Sequence, residues 1–317
     1  MKLPAPLKSC LLSLYYNGTL PYRRWRNERL YAAGRAPLLT LFYHRVSQDR
    51  CVPWNHSYEE FQNQIDWLQA HFEFIDLAET QRRIRSGVND RPAVAITFDD
   101  GYAENCDFAL PLLIDRGIPC TYYVNTYYVR EQLPFPHDIA RGRRLLPNTV
   151  EQLRILAECG IEIAAHTRTH ADMGKIHDPR LIREEISVCG DELEQMIGKP
   201  VRHFAFPYGM PHNMTEAAFR IAREHGYETV ASAYGDYNYV GDDGFHIRRV
   251  HPDDLGVLKN WATFDPRKMR RCAPCVLAVP RSDRAGCGAA ARASEGASSA
   301  ETSRSESGLS FVEIDRT

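Results

Sequence analysis

The sequence predicts an α/β protein in which strands and helices alternate around a parallel sheet or barrel. Three observations carry this expectation. Short apolar runs recur through residues 38–250, each followed by an amphipathic stretch of helical period. The run Ala93-Val94-Ala95-Ile96-Thr97-Phe98 is apolar almost throughout, as a strand buried on both faces requires. The helical stretches open at capping signatures and stop at glycines, which keeps the connections short. The 317 residues accommodate one such domain without requiring a second.

Residues 38–43 form the first strand, ending at His44-Arg45. Ser57 and Glu60 make a capping box. Phe61, Ile65, Leu68 and Phe72 then give the next helix a core-facing stripe. A short strand at 73–77 precedes a polar amphipathic helix that reaches Gly87. The strand 93–98 runs straight into Asp99-Asp100-Gly101. A helix over 103–116 is stopped by Gly117, and residues 119–124 are a strand. Residues 127–148 read as a long loop rich in Pro, His and Arg, of the kind that often walls a substrate groove. Within it, His137-Asp138 reads as a solvated pair or a contribution to binding. Thr149 and Gln152 cap a helix that ends at Gly160. The strand 161–165 closes on His166-Thr167-Arg168-Thr169-His170. Asp178-Pro179 opens a helix that reaches Gly198. A strand at 201–206 ends in Pro207-Tyr208-Gly209. A further helix reaches Gly226, and strands follow at 227–231 and 245–250.

Apolar content of 44%, charged content of 25% and a net charge of −2 are ordinary for a soluble globular chain. They exclude electrostatic wrapping of nucleic acid, so no nucleic-acid partner is expected. The nine cysteines are irregularly spaced and odd in number, which argues for reduced thiols. Cys272 and Cys275 lack the second pair that a metal knuckle needs. No apolar run is long enough to span a bilayer. Residues 1–36 form a basic, aromatic extension, either a helix packed on the barrel exterior or a segment lying at a membrane surface. Without a clear export signal, the expected location is the cytoplasm or its membrane face. Residues 37–268 make the α/β domain. Residues 269–317, rich in Ser, Ala, Gly and Arg, are expected to be disordered.

A buried strand that ends in two carboxylates is costly unless they are paired, metal-bound or exposed at a mouth. In β/α folds the carboxyl ends of the strands are where ligands bind. The competing reading is an Asp/Gly turn that caps a helix. His166 and His170 occupy the same kind of place, immediately after a buried strand. Two imidazoles and one carboxylate, from Asp99 or Asp100, form a three-ligand set for a catalytic divalent ion. The other aspartate is then free to act as a base. Pro207 and Gly209 hold Tyr208 in a tight turn whose amide can face the mouth and stabilise an oxyanion. His44 either faces the same mouth or is a satisfied histidine at a strand end.

Together these segments resemble the polysaccharide deacetylase family, carbohydrate esterases that remove N-acetyl groups from amino sugars. Thr97-Phe98-Asp99-Asp100-Gly101 is similar to the first family motif, His166 to His170 to the second, and Arg202 to Gly209 to the third. Tyr43-His44-Arg45 resembles the strand opening of members that act on poly-N-acetylglucosamine-type glycans. The resemblance implies a distorted (β/α)7 TIM-like barrel and a hydrolysis that releases acetate. It implies Asp99 as general base and Asp100, His166 and His170 as ligands of a divalent ion, expected to be zinc. Arg202 is implied to hold the base, and the Tyr208 amide to meet the oxyanion. His44, Tyr102, Pro207, Tyr208, Asp236 and Tyr237 are expected to line the glycan site. The fourth motif has only a loose counterpart in Tyr234-Gly235-Asp236-Tyr237. The fifth, which supplies the general acid, has none that is clear; His251 is the first stand-in and His246 the second. Two other readings use the same residues. One is another metal-dependent amide hydrolase, such as a sugar deformylase or a ureide or imide hydrolase. The other is a non-catalytic carbohydrate-binding protein on a degenerate barrel.

Overall fold

The computed structural model describes residues 5–49 and 51–269. Seven parallel strands follow one another around the sheet in chain order. They are β1 (Leu39–Tyr43), β2 (Ala93–Phe98), β3 (Cys120–Val124), β4 (Glu162–Ala165), β5 (His203–Ala205), β6 (Thr229–Ala231) and β7 (His246–Ile247). A short extra strand, Glu73–Phe74, pairs with the start of β2. Beyond β7 the chain returns to β1. Phe42 N donates to Val250 O at 3.1 Å, and Val250 N donates to Thr40 O at 2.9 Å. The sheet is thereby nearly closed, and helices surround it, in keeping with the expected distorted (β/α)7 barrel.

Side-chain parity divides the buried residues into two sets. Val94, Ile96 and Phe98 of β2 pack outward with helix residues such as Phe61, Leu110 and Leu113. Ala93 and Ala95 belong instead to a small cluster with Ala164, Ala205, Ala231, Tyr123 and Ile247, drawn from β2 to β7. This second set fills the barrel. Its alanines are small, which leaves interior volume nearer the mouth. Thr97 and Asp99 continue the inward parity towards the carboxyl ends of the strands.

Both expected capping boxes form. Glu60 N donates to Ser57 Oγ at 3.2 Å, and Ser57 N donates to Glu60 Oε2 at 2.9 Å. Gln152 N donates to Thr149 Oγ1 at 3.2 Å. Each such cap stabilises its helix by about 1 kcal/mol. Two segments depart from the sequence expectation. The stretch 127–148 is not one irregular loop but contains the short helices Thr126–Glu131 and Pro136–Ile139. The helix expected over 178–198 is interrupted by a π turn at Glu184–Val188.

Residues Ala5–Ala32 form one long helix. Its inner face is fixed by Arg23, fully buried, whose guanidinium donates to Asn260 Oδ1 at 2.8 Å and Thr263 Oγ1 at 2.9 Å. Tyr15 Oη donates to Asp265 at 2.9 Å. The extension therefore packs on the barrel exterior, against the helix Leu255–Ala262. Among the described residues no helix is long and apolar enough to cross a membrane. Residues 270–317, with Cys272 and Cys275, lie outside the described residues.

Candidate active site

Four of the six non-glycine residues with left-handed backbone among the described residues gather at one end of the barrel. They are Asp100 (φ 70°), Thr167 (φ 61°), His170 (φ 58°) and Tyr208 (φ 62°). Each costs on the order of 1–3 kcal/mol and persists only where its surroundings over-determine it. Gly101 shows how tight the first of these turns is. A Cβ there would meet Val124 Cγ1 at 2.8 Å. Gly209 is held as closely, since its Cβ would lie 2.4 Å from Ala233 N.

These turns bring Asp100, His166 and His170 together. One ligand atom from each lies within 4.8 Å of the other two. Asp100 Oδ1 is 3.2 Å from His170 Nε2 and 3.6 Å from His166 Nε2. It is buried and makes no hydrogen bond. His166 Nδ1 sits 2.9 Å from Ala205 O, and a carbonyl only accepts, so Nδ1 carries the proton and Nε2 presents its lone pair to the cluster. Burial lowers the His166 pKa, against the pull of Asp99 and Asp100, which favours the neutral ligand form. Burial alone would raise the Asp100 carboxyl, but His170, His44 and His166 hold it well below its ordinary range. An orphaned buried carboxylate oxygen between two imidazole nitrogens fits a divalent cation.

The histidine segment is braced from behind. Asn125, at the end of β3, donates to the His166 and Thr167 carbonyls. The π turn frees the Glu185 carbonyl to accept from Arg168 N at 3.1 Å. The Glu185 carboxylate takes Thr169 N at 2.9 Å and Thr169 Oγ1 at 2.7 Å. The helix irregularity thus holds the ligand loop.

Asp99, adjacent to Asp100 and equally buried, has a different partner. Arg249 Nη1 donates to its Oδ1 at 2.6 Å and Arg249 Nη2 to its Oδ2 at 2.8 Å. The guanidinium also donates to Thr97 Oγ1 and Ser232 O, both at 3.0 Å. It lies between the rings of Phe42 (4.9 Å) and Tyr123 (5.1 Å). Burial pushes the Asp99 pKa up, but Arg249 outweighs it and the net shift is downward. Asp99 is held ionised.

A cavity of ≈ 500 Å³ opens over these groups. His251 lines it, with Nδ1 2.8 Å from Asp253 Oδ1 and Nε2 buried without a hydrogen bond. His44 lines it too, and burial, opposed by Asp100 and Asp99, lowers its pKa to about 4. Tyr208 covers His170, ring centroids 5.1 Å apart, and is 57% exposed. The opposite wall is Trp54, His137 and Arg141, with the Arg141 guanidinium 4.8 Å from the Trp54 ring centre. His137 is therefore part of the site rather than one of a solvated pair. Asp138 is fully buried and accepts from Tyr102 Oη at 3.0 Å.

The structure corrects several expectations. Arg202 does not hold Asp99. It precedes β5, at the opposite end of the barrel, is exposed, and pairs with Glu162 at 2.7 Å. Arg249 takes the position next to Asp99. Tyr102 and Tyr237 are fully buried and present no face to a sugar; Tyr237 Oη donates to Trp261 O. Asp236 is buried beside Arg248, 3.7 Å away, outside the cavity lining. Pro207 is buried and shapes the turn without lining the cavity. His246 points away from the mouth, with Nε2 2.9 Å from Ser232 Oγ and its ring against Phe219.

Sequence reasoning missed Arg249, although its signal was present. Ile247 and Arg249 share the parity of a strand, and the Ile247 side chain is inside the barrel. It also missed Asn125, Glu185 and Trp54, whose roles depend on contacts between distant segments.

Comparison with known proteins points one way. Residues 86–230 match the family model described as polysaccharide deacetylase. The chain is 24% identical over 198 residues to YxkH of Bacillus subtilis, covering 61% of this chain and 63% of that one. It therefore spans less than two thirds of this relative's length. It is 22% identical over 222 residues to the poly-beta-1,6-N-acetyl-D-glucosamine N-deacetylase of Staphylococcus epidermidis, covering 66% of this chain and 73% of the relative. Among solved structures, IcaB from Ammonifex degensii superposes with a TM-score of 0.60 at 24% identity, over 72% of this chain and 97% of that one; this likeness is one of fold. Asp99, Asp100, His166 and His170 fall inside the family match, whereas Arg249 and His251 lie beyond its end. By these motifs, their convergence at the barrel mouth and the family match, residues 86–230 carry the hallmarks of the polysaccharide deacetylase family.

Proposed function

We propose that the chain is a metal-dependent hydrolase that removes N-acetyl groups from N-acetylhexosamine units of a glycan, releasing acetate. The observation that carries this reading is the division between two adjacent aspartates. Asp100 faces two imidazoles and Asp99 faces a guanidinium. One is fitted to hold a cation, the other to stay ionised and accept a proton.

Asp100, His166 and His170 would hold the divalent ion, for which we propose zinc, since imidazole and carboxylate oxygen are its usual donors. When bound, such an ion acidifies water and polarises a carbonyl. Asp99 takes the proton of the attacking water, and Arg249 fixes its carboxylate in charge and direction. The Tyr208 amide, in its left-handed turn, is the proposed donor to the oxygen that gains negative charge. A carbon–oxygen bond forms and the amide carbon–nitrogen bond breaks. His251 Nε2 gives its proton to the departing amine, while the Asp253 carboxylate steadies the imidazolium through Nδ1. The exposed Tyr208 ring and Trp54 flank the cavity as platforms for sugar faces. Glycans of the poly-N-acetylglucosamine or chitooligosaccharide type are the proposed substrates. The activity for which the Staphylococcus epidermidis relative is named supports this class.

The test is acetate release from chitooligosaccharides and poly-β-1,6-N-acetylglucosamine by protein stripped with chelator and reloaded with zinc, cobalt or magnesium. Release that needs the metal supports the reading. Formate release from N-formyl sugars, with none of acetate, would move the chain to the deformylases. Glycan binding by the loaded protein without any release would make it a binding module.

A further inference from the structure

The helix Ala5–Ala32 has a second face. Its inner face carries Arg23 and Tyr15 into the contacts with residues 260–265 described above. On the outer face stand Leu7 (46% exposed), Leu11 (49%), Leu14 (71%), Tyr22 (53%) and Trp25 (50%). Spacings of three, four and seven or eight residues align them as one stripe along an α-helix. Large apolar side chains on a soluble surface are normal when scattered singly. Five in one row on one helix are a surface with a purpose.

Charge identifies the occupant. The first 32 residues hold six basic side chains and one acid, Glu28, whereas the whole chain has a net charge of −2. Arg24 and Arg29 flank the stripe and are exposed. The aromatic members carry cations on their faces: Arg29 lies 4.2 Å from the Trp25 ring centre and Arg26 5.7 Å from that of Tyr22. Tyr and Trp beside Arg, next to exposed leucines, suit the boundary between lipid headgroups and acyl chains. A second copy of the chain fits less well. Gly18 interrupts the stripe at its middle, and two such helices would bring arginine to arginine.

We propose that the outer face of the helix Ala5–Ala32 docks the protein on the surface of an anionic bilayer, without crossing it. Leu12, on the same helix, walls a cavity of ≈ 510 Å³ that shares Ala233, His251 and Asp253 with the metal pocket. The inference is independent of the chemistry at the metal site, because its readout is binding.

The experiment is sedimentation of the full chain with vesicles of phosphatidylcholine alone or mixed with phosphatidylglycerol, at low and high salt. Wild type should partition onto the anionic vesicles and be released by salt. Leu14→Glu with Trp25→Glu, both at exposed positions, should weaken partition about tenfold or more while leaving the melting temperature in place. Arg24→Gln with Arg29→Gln should weaken it by a similar factor on anionic vesicles only. Wild type that ignores anionic vesicles overturns the proposal, as does full binding by both double variants. A dimer in solution that Trp25→Glu dissociates, with no vesicle binding, assigns the stripe to a second copy instead.

Discussion

Two arginine–carboxylate pairs stand at opposite ends of the barrel. Arg202 meets Glu162 with Nε at 3.1 Å and Nη2 at 2.7 Å. Arg249 meets Asp99 with Nη1 at 2.6 Å and Nη2 at 2.8 Å. Both are bidentate, and their lengths are alike. What differs is water. The Arg202 side chain is 45% exposed and that of Arg249 is 0% exposed. The first pair is screened and contributes about 0–1 kcal/mol. In the second, each charge has left water and depends on the other, so loss of either partner costs far more than the pair itself contributes. The same geometry serves as a surface tie at one end and as an instrument for fixing charge at the other.

Substitutions can break or sharpen this contrast, beginning with the carboxylate next door. Asp100→Asn should abolish both metal content and turnover, seen by elemental analysis and acetate release. Asp99→Asn should lower kcat by about 10²–10⁴-fold with metal content nearly intact. Metal loss in that variant instead would end the division of labour between the two aspartates. Arg249→Met leaves a buried carboxylate unpaired and should cost about 3–5 kcal/mol in a urea titration at neutral pH. The sign with pH follows from Asp99, whose folded pKa is depressed. Its pairing contributes stability above the unfolded carboxylate range near pH 4, lost as pH falls through the lower folded value. Arg249→Met should remove that contribution and move the acidic limb of kcat/KM to higher pH. Arg202→Met, the smallest change, should cost about 1 kcal/mol or less and leave the pH profile in place. A large loss of turnover in Arg202→Met would erase the distinction between the two ends.

The metal half of the site was legible because its residues are local. Asp-Asp-Gly and the His166/His170 pair each sit within one turn of a strand end, and an apolar strand that stops in charge is visible without a structure. The alternating fold was legible for the same reason, through apolar runs, capping boxes and glycine stops. The partner of Asp99 was not. Arg249 reaches it across the barrel from 150 positions away, beside Arg248, which turns outward to Asp242. Only strand parity separates the two. Depth was equally hidden. Tyr102 and Tyr237 stand beside recognised motifs yet are wholly buried, whereas Tyr208 is lifted into solvent by a backbone conformation that its own side chain does not announce.

The seam between β1 and Val250 also sets an order in time. During synthesis Asp99, Asp100 and both histidines leave the ribosome well before Arg249. The same late segment supplies the backbone that shuts the barrel, the guanidinium that fixes Asp99, and the imidazole of His251. The residues that anchor Arg23 of the first helix follow directly after. A nascent chain that already holds Asp100, His166 and His170 thus still lacks the guanidinium and the His251 imidazole of the mouth, which arrive together with the last strand.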